Sequence, residues 1–222
     1  SLAGLRGYMI LGKDRAKAEI FKAERLQGWE KIDQALREMD TFSKNWTDPK
    51  NIEALNEMKK EIEAFRTAQE EVENISHTVE NIPAFNMLLT QAAPQASTIL
   101  GAISAIIEEE LTLSATPERK KLLKLLADSR GSFAVGLANI RAYLLSGDIR
   151  FANNFQAKWK VNETRFKQIS GMTGLFNASQ AKAWNTYRKA RAEFAALPLQ
   201  MFERRAAKDW NLANYWLGTK AA

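Results

Sequence analysis

A phrase near the start of the chain returns near its middle. Leu5-Arg6-Gly7-Tyr8-Met9, followed by Gly12-Lys13-Asp14, comes back as Ile140-Arg141-Ala142-Tyr143-Leu144, followed by Gly147-Asp148. A second phrase, Ala84 to Ala93, returns as Ala213 to Ala222. The copies keep their order, so the chain reads as a diverged tandem duplication of one structural unit. That unit is helical. Only 11 Gly and 5 Pro interrupt 222 residues, and the remainder is rich in Ala, Leu, Glu, Lys, Arg and Gln, the strong helix formers. The expected fold class is all-α, with long elements.

Apolar residues recur at helical spacing between a few clear breaks. One helix ends near Gly12. The next carries Ile20, Leu26, Trp29, Ile32, Leu36, Met39 and Phe42 and stops at Asn45-Trp46-Thr47. Asp48 and Pro49 read as N-cap and first-turn residue of the helix that follows. Asn81-Ile82-Pro83 ends that helix. A helix from Pro83 to about Leu113 contains Pro94, which predicts a kink. Thr116-Pro117 starts another, running to about Ser146. Gly147-Asp148 is a weak point matching Gly12. Helices to about Ser170, from Asn177 to Leu197, and from Pro198 past Trp216 complete the pattern.

These breaks predict two stacked antiparallel four-helix bundles sharing long helices that kink at Gly12, Pro83, Gly147 and Pro198. One bundle takes 13–80 and 148–197. The other takes 1–12, 83–146 and 198–222. Residues 1–222 then form a single bimodular domain. Both ends of the sequence fall inside helical pattern, which predicts a domain belonging to a longer chain.

The phrases Ile140 to Asp148 and Met201-Phe202-Glu203-Arg204-Arg205 … Trp210-Asn211-Leu212-Ala213-Asn214-Tyr215-Trp216-Leu217 carry a family likeness. Over its whole length the chain resembles the helical bimodular ligand-binding domain of bacterial methyl-accepting chemotaxis receptors and related sensor kinases. The resemblance implies a periplasmic sensor held between two transmembrane helices of an inner-membrane receptor, a homodimer, and small organic acids as ligands. It also implies an Arg-x-x-Arg pair on the first helix of the lower bundle. Here Arg6 matches and Ala3 stands in the other position. A second reading makes the chain a protein-docking or dimeric spacer module of a sensor histidine kinase.

Counting from each weak point puts a set of polar residues at one level of the lower bundle, within about a helical turn. These are Arg6, Arg141, Arg204 and Arg205, with Thr90 on the fourth helix. Guanidinium groups bind carboxylates bidentately, so such a ring suits a di- or tricarboxylate. Asn86, Asn211 and Tyr215 add hydrogen-bonding groups, and Trp210 a wall. Arg15, Arg165, Trp159 and Trp184 lie in the other bundle with Arg150, Tyr187 and Arg188, and the last three mark a possible second site. There the aromatic residues also read as core and the arginines as solvated.

Other chemistries lack residues. The chain has no Cys and one His, His77, so neither a disulfide framework nor a metal site is expected. No phosphate loop, nucleophile elbow or catalytic triad pattern appears, so no enzyme and no cofactor is expected. The net charge of +6 is spread at helical spacing without a nucleic-acid motif, so no nucleic-acid partner is expected. Glu108-Glu109-Glu110 reads as a solvated helix face.

Overall fold

A computed structural model describes residues 1–221, and among them every regular element is helical. The α-helices are α1 (Leu2–Leu11), α2 (Arg15–Ser43), α3 (Pro49–Ile75), α4 (Pro83–Met87), α5 (Ala93–Glu110), α6 (Pro117–Ser146), α7 (Ile149–Ser170), α8 (Ala178–Phe194), α9 (Leu197–Ala206) and α10 (Leu212–Thr219). Most starts are capped as the sequence suggests. The side chains of Asp14, Asp48, Thr116, Asp148, Asn177 and Asn211 each accept from a backbone N–H in the first turn. Asn177 and Gln180 form a reciprocal capping box.

The chain divides into two compact units: residues 1–82 with 208–222, and residues 83–207. The grouping expected from the sequence was different. Residues 148–197 pack with 83–146, in the second unit.

The reason lies at the two weak points, which are reversals and not kinks. α1 runs back along α2. Gly4 lies so close to α2 that a Cβ there would sit 2.7 Å from the Phe21 carbonyl and 2.8 Å from the Arg25 nitrogen. α6 and α7 likewise form an antiparallel hairpin. Asp128 pairs with Arg165, Ser129 with Asn162, and Phe133 packs on Trp159. The two turns differ by one residue. Gly12, Lys13 and Asp14 connect α1 to α2, with Gly12 at φ −71°. Only Gly147 and Asp148 connect α6 to α7, and Gly147 adopts φ +72°. The shorter link closes because glycine enters the left-handed region without a Cβ penalty.

In the second unit, α5 to α8 form an up-down-up-down four-helix bundle. α6 packs closely on α7, and α5 on α8. Small residues permit this, among them Ala96, Ala102, Ser129, Ser132, Gly136, Ala152 and Ala190, all of them buried. An aromatic layer of Phe133, Phe155, Trp159, Phe166, Trp184, Tyr187 and Phe194 fills the space between the two close pairs. α4 packs against α9 beyond one end of this layer, where Phe202 meets Tyr143 and Phe155. A π-helical turn over Leu88–Ala92 joins α4 to α5. It lies just before Pro94, whose missing N–H falls in the first turn of α5.

The first unit is sparer. Its apolar cluster is Leu5, Ala68, Val72, Ala213 and Ala221. Farther along the α2–α3 hairpin, polar contacts replace a core. Arg25 donates to Glu73 at 2.7 Å, Trp29 to Gln69 at 3.1 Å, Arg66 pairs with Asp33 and Lys59 with Asp40. Phe42 is 65% exposed and Ile20 63%. The helix expected from Pro198 past Trp216 is in fact two helices. α9 ends at Ala206, and Asn211 caps a new start.

No helix is long and apolar enough to cross a membrane among the described residues.

Candidate functional site

In the first unit, α1, the end of α3 and α10 converge on a cleft of about 280 Å³. α1 contributes Arg6, Met9 and Ile10, and α10 contributes Ala213, Asn214 and Leu217. Ser76, Asn81 and Asn211 complete the wall.

Asn81 is the keystone of this wall. It is buried to 8% exposure. Its amide donates to the Ser76 carbonyl at 2.9 Å, and its side-chain oxygen accepts from the Ala213 backbone N–H at 2.8 Å. One side chain thus ties the end of α3 to the first turn of α10. Asn211 turns its oxygen inward along α10 to accept from Asn214 N–H at 3.0 Å. Its amide N–H groups are not used in that cap.

Arg6 is the one charged residue lining the cleft, and it has no ion-pair or hydrogen-bond partner among the described residues. The first turn of α10 opens on the same space. Its Ala213 and Asn214 N–H groups are already taken by Asn81 and Asn211, so the turn contributes only the dipole of a short helix. Together, the Arg6 guanidinium and the asparagine side chains over an apolar floor suit a small anion with hydrogen-bonding substituents.

The residues expected to form a ring are divided. Arg6 and Asn211 line this cleft, whereas Tyr215 is on α10 but does not. Asn86, Thr90, Arg141, Arg204 and Arg205 belong to the second unit. Two of these have other work. Thr90 donates its hydroxyl to the Asn86 carbonyl at 2.8 Å, four residues back in α4. Arg205 Nε donates to the Leu144 carbonyl at 2.8 Å, satisfying the C-terminal end of α6. Arg141 and Arg204 are exposed. A common level for these residues requires helices continuous through Gly12 and Gly147, and the chain reverses at both.

The possible second site also separates. Tyr187 is buried, with its hydroxyl 3.0 Å from Ser129 Oγ. Arg150 closes an exposed ion pair with Asp148. Arg188 lines a different cleft, with Phe166 and Trp184.

Sequence reading missed several polar groups that the fold buries. Gln69, Asn162 and Gln180 are fully buried, and Arg25, Glu110 and Arg191 nearly so. Glu110 corrects the expectation of a solvated Glu108–Glu110 face. It accepts from Arg119 at 2.9 Å and from Gln180 at 2.7 Å, at 5% exposure. Asn162 donates to the Ser129 carbonyl at 2.9 Å and accepts from Arg191 Nε at 3.1 Å. A signal was present: Asn162 falls on the same helical stripe as Phe155, Trp159, Phe166 and Ile169, where a polar residue is anomalous.

Among the described residues no cluster of three or more His, Asp or Glu side chains could hold a metal. Compared with family models and with curated proteins, the chain matches none.

Proposed function

We propose that the chain is the extracytoplasmic sensor domain of a transmembrane receptor of the chemotaxis type, and that it binds small organic acids at the Arg6 cleft. The observation that carries this reading is the unpartnered Arg6 guanidinium facing asparagine amides and the first turn of α10. A carboxylate held there touches α1 and α10 together. In the family that the sequence resembles, the first and last helices lead to the membrane, so a ligand favouring one placement of α10 against α1 shifts the signalling equilibrium by its differential affinity for the two placements. The domain performs no catalysis in this reading and needs no cofactor, and its compartment is the periplasm.

Titration calorimetry with malate, succinate and citrate tests it. A charge-assisted pair is worth about 1.5–3 kcal/mol, so Arg6→Ala weakens binding by roughly ten- to a hundredfold. Arg141→Ala discriminates the cleft from the ring. The cleft leaves its affinity unchanged, whereas the ring requires a loss. The sensing proposal is abandoned if none of the three acids binds at millimolar concentration.

One observation favours the alternative docking role for part of the molecule. The α2–α3 hairpin is long, polar along its seam and bare at Phe42, Ile20 and Leu26. Two such hairpins from two copies complete a four-helix bundle, which is the form in which the expected second bundle and the homodimer are retained. Phe42→Glu then lowers the dimer fraction in analytical ultracentrifugation. An unchanged fraction removes Phe42 from any dimer interface.

A further inference from the structure

The bundle of the second unit holds a separate cleft whose chemistry differs from that of the Arg6 site. α6 with α7, and α5 with α8, approach closely through small residues, whereas α7 and α8 face one another across the aromatic layer. Toward the α7–α8 connection this layer runs out. The rings there leave a cleft of about 390 Å³, within the range of small-molecule sites, about 300–1,000 Å³.

Its walls are aromatic and its rim is polar. Phe166 stacks on Trp184 with ring centres 5.3 Å apart and planes 27° apart. Phe176 meets Trp184 edge-on at 5.9 Å. Trp184 also stacks on Tyr187, at 5.0 Å and 15°. Trp184 is 3% exposed and already stacked on Phe166 and Tyr187, so a flat ring entering the cleft packs on these aromatic walls by edge contact. The rim carries Ser170, Asn185 and Arg188.

The electrostatics are one-sided. Among the described residues no acidic one lines the cleft. Arg188 has no ion-pair or hydrogen-bond partner among the described residues. Arg191 lies on α8 about one turn further on. Its guanidinium carbon sits 4.6 Å from the centre of the Phe166 ring, and its Nη2 is buried with no hydrogen-bond partner. Two guanidinium groups beside an acid-free aromatic slot repel cations and attract anions. An aliphatic acid satisfies Arg188 but leaves the aromatic walls unused. A neutral arene fills the slot but leaves Arg188 unused.

The geometry points to a binding site for a small planar aromatic carboxylate in the α7–α8 cleft. The ring lies against Phe166 and Trp184, and the carboxylate meets Arg188 and the amide of Asn185. This site is independent of the Arg6 cleft, since no residue is shared between them.

Benzoate is the probe. Acetate presents its charge without the ring, and benzamide the ring without the charge. Binding to the whole chain is measured by titration calorimetry, with tryptophan fluorescence as a second readout because Trp184 is a wall. Benzoate is expected to bind at least tenfold more tightly than acetate or benzamide. Arg188→Ala is expected to reduce that affinity by about tenfold or more, the loss of one charge-assisted contact. Arg188 is exposed, so its removal leaves the bundle intact, which far-ultraviolet circular dichroism checks. Asn185→Ala gives a second, smaller loss. Arg6→Ala leaves benzoate binding unchanged. The proposal is overturned by absence of benzoate binding at 10 mM (a concentration of the order of the weakest affinities worth assigning), by equal affinity for acetate, or by insensitivity to Arg188→Ala. Loss in Arg6→Ala alone also overturns it, and assigns benzoate to the other cleft.

Discussion

Replacing Asn162 by leucine places a side chain of similar volume on the same core stripe and strands a buried cation. In the native bundle, Arg191 Nε donates to Asn162 Oδ1 at 3.1 Å, and the guanidinium lies 4.4 Å from the centre of Trp159 and 4.6 Å from that of Phe166. Its residue exposure is 9%, and no carboxylate pairs with it. Asn162→Leu removes the one neutral acceptor. Leaving a buried donor unsatisfied costs about 1–3 kcal/mol, and more when it is charged. The charge raises this case, and the ring contacts and residual exposure of Arg191 limit it, to about 3 kcal/mol. For a helical unit of this size that corresponds to a fall in midpoint of roughly 10 °C. The double variant Asn162→Leu with Arg191→Met separates the causes. If the cost comes from an unpaired charge, removing the charge recovers most of it, and the double variant lies within about 1 kcal/mol of the parent. Thermal and urea unfolding, followed by near- and far-ultraviolet circular dichroism, provide the measurement. The near-ultraviolet signal is needed because a chain of two units is not assured one transition. The reasoning is refuted if the double variant loses as much as the two single variants added together.

Gly147→Ala is expected to destabilise the bundle by about 1–2 kcal/mol, the strain of a left-handed residue with a Cβ. The new methyl also falls 2.8 Å from Arg205 Nη2, which can swing away only by disturbing the cap on Leu144; a midpoint within 1 °C of the parent contradicts this account. Asp148 is held below the usual aspartate range by hydrogen bonds from Arg150, its side chain first and its backbone N–H second, and Asp128 by a hydrogen bond from Lys124. A depressed carboxyl stabilises above its unfolded pKa, and that contribution disappears as pH falls through the lower folded value. The acid limb of stability below about pH 4 is therefore shallower in the Asp128→Asn, Asp148→Asn double variant, and a limb of unchanged slope in pH-dependent melting counts against it.

The helices were legible because their caps are chemical. Asp48-Pro49, Thr116-Pro117 and Asn177 announce starts that local hydrogen bonds then make. What misled was the meaning of Gly12 and Gly147. A glycine near the end of a periodic stretch is compatible with a bend or a reversal, and only long-range packing decides between them. Here the small residues decide it. Gly4 on α1, and Ser132, Gly136 and Ala152 along α6 and α7, let backbones close on each other as a straight run cannot. The error carried into the site. Arg6 and Arg141 share a sequence setting, yet Arg6 alone faces asparagines drawn in by α10. Nothing local to Arg6 shows that α10, some two hundred residues on, completes the cleft. The buried Asn162 and Arg191 could have been found, since each interrupts an aromatic stripe of its own helix. Their pairing required knowing that α7 faces α8.

The division into units also orders events in time. Residues 83–207 are one unbroken stretch, and that stretch contains every helix of its own bundle. The other unit is split by it. Leu5 and Val72 wait for Ala213 before their cluster closes, and Asn81 waits for the same residue before its oxygen is satisfied. A chain emerging from the ribosome at about 5–20 residues per second therefore presents an open first unit for on the order of ten seconds while the inserted bundle forms. The sparse core and polar seam of α2 and α3 suit that interval, because a hairpin joined by ion pairs stays soluble where an apolar one invites aggregation.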